Sequence, residues 1–137
     1  MKRFRLSATP IAPEPLRAGM DNVRAGAFAA FEGRVRDHND GRAVEGLHYE
    51  AYGALAEAEG EKVLAEALAK FDILDVRCVH RTGDLALGEL AVWVGVTAAH
   101  RDGAFAACRH VIDEVKARVP IWKRERYAAG GEDWLHP

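Results

Sequence analysis

Two stretches of helix-forming composition, 54–71 and 101–118, stand among runs that read as strands. That mixture constrains the fold more than any other feature of the chain. "ALAEAEGEKVLAEALAKF" (54–71) is rich in Ala, Leu and Glu, the residues that lose least in a helix, with Gly60 as its weak spot. The second helix is closed by Pro120, which has no amide hydrogen to continue it. "ILDVRCVHR" (73–81) and "ELAVWVGVTAA" (89–99) read as strands between the two helices. Upstream, "FRLSATPI" (4–11) reads as a first strand ended by Pro10 and Pro13, and "PEPLRAGM" as a brief helical turn. "GAFAAFEGRVRDH" (26–38) and "VEGLHYEAY" (44–52) flank the turn signal "NDG" and are expected to pair as a hairpin. The tail "GGEDWLHP" is expected to loop. Strands interspersed with two long helices and a hairpin point to an α+β fold in a single domain, 1–137.

"KARVPIWKRER" (116–126) holds five cations against one anion in a chain of formal net charge −2. The basic character is therefore local, whereas a general nucleic-acid coat would be basic throughout. Cys78 and Cys108 form no CxxC pair, so a reducing compartment is the simpler setting. No apolar segment follows "MKRFRLSATP", and the longest apolar run, 90–99, is half of what a bilayer span needs. A soluble, cytoplasmic protein is expected.

Three constellations could carry chemistry. On the second helix, Phe105, Cys108, Ile112 and Val115 recur at helical spacing as the expected buried stripe, and Lys116 falls in line with it. Lys116 is either a snorkelling lysine that complements the helix end, or a lysine in a partly dry pocket. The second kind serves as base, acid or nucleophile. Beyond Pro120, Trp122 and Lys123 would turn back over the same site in extended chain, the tryptophan stacking on a flat ring or simply packing.

The second constellation is His100-Arg101 at a strand-to-helix junction, where free amide groups and a cation favour phosphate; the plainer reading makes Asp102 the helix cap. The third is "FEGRVRDHNDG" (31–41), in which Arg34 and Arg36 share a strand face and Arg36 and His38 lead into a loop. There is no HExxH, P-loop or GxSxG pattern, and the histidines are dispersed, so no metal site is expected. Neither cysteine reads as an exposed reactive thiol.

"FEGRVRDHNDGRAVEGLHYEAY", "VHRTGDLALGELAVWVGVTAAHRDGAF" and "VKARVPIWKRE" resemble, in order and spacing, the three signature blocks of the molybdopterin synthase large (catalytic) subunit. The resemblance covers roughly residues 3–135. It implies an α/β hammerhead-like fold with an additional antiparallel sheet. It implies a sulfurtransferase that converts cyclic pyranopterin monophosphate (precursor Z) into the dithiolene molybdopterin. The sulfur would come from a small ubiquitin-like carrier subunit bearing a C-terminal Gly-Gly thiocarboxylate, so no cofactor is implied. Two large subunits would form a homodimer at the centre of a heterotetramer, without nucleic acid or membrane.

By the same resemblance Lys116 and Lys123 match the family's two catalytic lysines. His100 and Arg101 match a pterin or phosphate pair, Arg36 the arginine of the G-x-V-R block, and Phe31 the aromatic before it. Trp122 joins them as a candidate substrate contact. Two departures stand out: "YGALAEAEG" where many relatives have Pro and Met after the tyrosine, and Ile112 where some carry methionine. The alternative from another class is a non-catalytic binding module whose 116–126 segment docks an acidic protein or RNA.

Overall fold

A computed structural model describes residues 1–136; the last residue of the expected looping tail, Pro137, lies outside them. The chain runs β1 (Phe4–Ser7), α1 (Pro13–Ala18), β2 (Ala27–Arg34), β3 (His38–Asn39), β4 (Arg42–Ala51), α2 (Gly53–Lys70) and β5 (Asp75–Arg81). It continues with β6 (Gly83–Ala86), β7 (Leu90–Ala98), α3 (Arg101–Arg118), β8 (Ile121–Tyr127) and β9 (Glu132–Leu135). This is the α+β architecture expected. Neither long helix is apolar enough to cross a membrane.

The strands form two sheets. The first has the order β1-β5-β7-β2, with β1 parallel to β5 and the other pairs antiparallel. All nine residues of β7 are buried, as its continuous apolar run requires. Helix α2 packs on β1 and β5, and α3 on β2 and β7, so both helices cover one face. A smaller cluster of Met20, Leu90 and Trp93, backed by Leu16 and Phe28, forms a second centre of packing. The second sheet has the order β3-β4-β8-β9, with β6 also paired to β4. The chain crosses between sheets at "HRTGD", where Gly83 takes φ +91°, a conformation that side chains resist.

Three expectations need correction. The strand 26–38 does not pair with 44–52. Instead β2 lies along β7, and only His38–Asn39 folds back on Arg42–Ala43. The ladder slips at Gly33/Arg34 and the chain leaves the first sheet, so β4 is free to take β8 and β6 as partners. The tail is not all loop, because β9 adds to the free edge of β8. Finally, Phe105 is 67% exposed. The buried set on α3 is Ala104, Ala107, Cys108, Val111, Ile112 and Val115. At about 100° per residue this arc centres near Val111 and Val115, and Phe105 falls about 90° off it. Gly60 proves a packing device, since a Cβ there would collide with the Phe4 ring.

Candidate active site

The turn from α3 into β8 builds the site. Lys116 lies on the flank of α3, on the same side as Ile112 and roughly 110° from the buried centre at about 100° per residue. Pro120 stops the helix, Ile121 N–H donates to the Val119 carbonyl at 2.8 Å, and the chain reverses into β8. Side chains alternate across a strand, so Ile121, Lys123 and Glu125 face one way and Trp122 and Arg124 the other. The inward set meets Lys116 around a cavity of about 580 Å³. That volume is in the range of small-molecule sites, roughly 300–1,000 Å³. Phe31, Arg34, Arg36 and His38 form another part of its wall.

Electrostatics separates the cations that hold the fold from those left for a ligand. Arg118 forks onto both oxygens of Glu66 at 2.7 Å and reaches Glu59 at 3.0 Å. Arg124 lies 3.1 Å from Glu132, and Lys123 lies 3.8 Å from Glu125. Arg34 is held by Glu32 at 3.0 Å and by the Gly88 carbonyl at 3.1 Å. Among the described residues Lys116 and Arg36 have no carboxylate partner, and both line the cavity. Unpaired cations in a concave site call for an anion. Three of the five cations of the basic stretch are thus paired within the fold: Arg118 with acids of α2, Arg124 with one of β9 and Lys123 with Glu125 of its own strand.

Glu125 is 3% exposed. It accepts hydrogen bonds from the Asn39 amide at 2.8 Å and the Tyr127 hydroxyl at 3.1 Å. Tyr49, also in the wall, has its hydroxyl pushed up to about 12 by burial and by the Glu125 charge, so it stays protonated. His80 lies edge-on to Tyr49, ring centroids 5.0 Å apart. Sequence reading missed Glu125, Tyr49 and His80. Glu125 was within reach, since it is two residues from Lys123 and therefore on its face.

Other predicted residues are not brought here. Trp122 lines a separate groove with Tyr52 and Trp134, on the far face of the second sheet. His100 takes the N-cap position of α3 with extended backbone and no side-chain cap bond, so Asp102 is a first-turn residue and not the cap. His100 and Arg101 border a shallow depression with Gly26 and Ala99. Fifteen helical residues at about 1.5 Å each put roughly 22 Å between Arg101 and Lys116. Within one chain, then, Lys116, Lys123, Arg36 and Phe31 converge, while His100, Arg101 and Trp122 stand apart. Cys78 and Cys108 are free and buried, and burial pushes both thiols up, which leaves them inert.

Residues 6–118 match the family model described as MoaE protein. The chain belongs to the MoaE family. A molybdopterin synthase catalytic subunit from Thermoplasma volcanium is 46% identical over 110 residues, which are 80% of each chain. The X-ray structure of molybdopterin synthase from Staphylococcus aureus superposes with a TM-score of 0.92 at 35% identity, covering 98% of both chains. A complex of subunits 1 and 2 of molybdopterin-converting factor from Helicobacter pylori shares the fold, with a TM-score of 0.75 and 23% identity over 97% of this chain and 88% of that one. As a MoaE-family protein the chain is a catalytic subunit of molybdopterin synthase, a sulfur-transferring enzyme of molybdenum cofactor biosynthesis. The docking-module alternative finds no support in its relatives, and the pairing of Arg118, Lys123 and Arg124 within the fold leaves fewer cations for an acidic partner.

Proposed function

We propose that the lysine cavity receives the thiocarboxylated C-terminal Gly-Gly tail of a small ubiquitin-like carrier and passes its sulfur to cyclic pyranopterin monophosphate. The observation that carries this reading is the convergence of Lys116, Lys123 and Arg36 on one cavity, two of them without a protein counter-ion. The Helicobacter pylori complex of two subunits, one chain of which shares this fold, supports a small-subunit partner.

Each transfer leaves the carrier as a carboxylate: its acyl carbon gives sulfur to a pterin side-chain carbon and takes oxygen from water, while that pterin carbon gives up its own oxygen substituent. That exchange passes through an oxyanion, which a nearby ammonium stabilises in a water-poor site. Lys116 is assigned to the acyl end. Lys123, steadied by Glu125, is assigned to charge or proton transfer at the pterin. Arg36 holds the phosphate and Phe31 packs on the ring. Trp122, on the other face of β8, is left out of the pterin site.

His100 and Arg101 serve the same pocket only if a second copy supplies them, given the length of α3. This fits a homodimer at the centre of a heterotetramer, in which one protomer gives the lysines and its partner the helix start. Free, unreactive cysteines accord with a reducing cytoplasm. The reading is tested by combining the chain with thiocarboxylated carrier and cyclic pyranopterin monophosphate. Dithiolene pterin is expected; none, from a complex that forms stably, would refute it.

A further inference from the structure

His80 is 5% exposed yet lines the cavity beside Lys116. Its Nδ1 lies 2.8 Å from the Arg81 carbonyl oxygen. A carbonyl only accepts, so Nδ1 carries the hydrogen and the tautomer is fixed. Burial, with a smaller contribution from the Lys116 charge, pushes the ring down to about 4, so the imidazole is neutral. Nε2 therefore carries a bare lone pair, and among the described residues no donor, Lys116 included, is hydrogen-bonded to it, although the Lys116 side chain lines the same cavity. Tyr49 packs edge-on against the ring and limits its rotation.

His80 lines the cavity, so this lone pair is available to a group there, whereas a phenylalanine would fill the same space and offer none. The cavity supplies the donor. An ammonium has three N–H groups and no acceptor, and Lys116 sits on a flexible stem at the end of α3. We propose that His80 is a positioning residue of the sulfur-transfer site, whose Nε2 accepts a hydrogen bond from the Lys116 ammonium and aims its remaining N–H groups at the carrier's acyl oxygen. The proposal rests on the functional reading above. It goes beyond it by naming the group that fixes where the flexible lysine points. No proton changes owner in this role, and no covalent step is added.

Two measurements test it. The first is the ¹⁵N spectrum of His80 in the folded protein, wild type against Lys116→Ala. Nδ1 is expected to read as protonated in both, while the Nε2 signal shifts on loss of Lys116. An unchanged Nε2 signal would overturn the proposal whatever the enzyme's activity. The second is kinetic, in the reconstituted synthase. His80→Phe keeps the ring and its contact with Tyr49 but removes Nε2, and kcat should fall at least tenfold with carrier affinity unchanged. His80→Gln, which restores an acceptor, should recover most of that loss, and it keeps the test open if the phenylalanine variant folds poorly. A His80→Phe rate within twofold of wild type, or a loss that His80→Gln does not rescue, would reduce His80 to a packing residue. Failure of the wild type itself to form product would refute the functional reading, while the spectrum would still decide the contact.

Discussion

Lys123 Nζ lies 3.8 Å from Oε2 of Glu125, a carboxylate that is itself 3% exposed. The two side chains share one face of β8, and the other Glu125 oxygen is taken by Asn39 and Tyr127. A lysine that would otherwise sweep the cavity is thereby tethered to a fixed, buried charge.

Removing that charge should uncouple activity from stability. Glu125→Gln keeps the shape and is expected to fold while losing most turnover. Glu125→Ala strips partners from Asn39 and Tyr127 and should cost about 1–3 kcal/mol, the usual penalty for orphaned buried groups. Urea denaturation of both variants checks this; an alanine variant as stable as wild type would contradict it.

His80 should leave a mark on stability against pH. Its folded value is depressed to about 4 from the ordinary 6.5. Between these values the unfolded chain binds a proton that the folded chain refuses. The contribution is therefore full above about pH 6.5 and is lost as pH falls toward 4, by roughly 2–4 kcal/mol at about 1.4 kcal/mol per unit. His80→Phe should flatten this part of the curve. A variant whose acid sensitivity matched the wild type would show that the ring titrates normally.

Gly60 should resist improvement. Alanine is the better helix former by about 1 kcal/mol. The Phe4 ring occupies the space a Cβ needs, and overpacking of this kind costs typically about 1–3 kcal/mol. The clash wins on magnitude, so Gly60→Ala is expected to lower the denaturation midpoint. A raised midpoint would mean that β1 moves aside at little cost.

Completion of the pocket across a dimer can be read by mixing two inactive chains. Lys116→Ala supplies an intact His100-Arg101 start, and a His100→Ala, Arg101→Ala chain supplies intact lysines. With two-fold symmetry and random exchange, half the dimers are mixed and each holds one whole site, so about a quarter of wild-type activity should return. No recovery, with exchange confirmed by mass, would place both sets of residues in one chain's site.

Much of this was legible in the sequence, and the misses have physical causes. Both helices fall within a residue of their expected bounds, because composition and Pro120 are local signals. The hairpin expected between 26–38 and 44–52 fails because strand pairing is decided by distant partners: β7 takes β2, and β8 takes β4. Lys116 and Lys123 could be found from their motif, and the cavity brings them together. Adjacency in sequence joins Trp122 to Lys123, although strand parity sends the two to opposite faces. The motif joins His100 and Arg101 to the lysines, although the rise of a long helix separates them from Lys116 within one chain. Glu125, Tyr49 and His80 needed the fold, since β4, β5 and β8 meet only there.

The most direct measurement follows both products of one reaction mixture. Purified chain, thiocarboxylated carrier and cyclic pyranopterin monophosphate are combined, and dithiolene pterin is quantified alongside the carrier's C-terminus by intact mass, with Lys116→Ala in parallel. Wild type should convert carrier thiocarboxylate to carboxylate in step with dithiolene formation, two carriers per pterin, as a dithiolene's two sulfurs require. Lys116→Ala should bind the carrier, melt like wild type and do neither. Full turnover by Lys116→Ala, or carrier left unconsumed by a wild type that binds it, would contradict the assignment of this cavity as the place where sulfur changes hands.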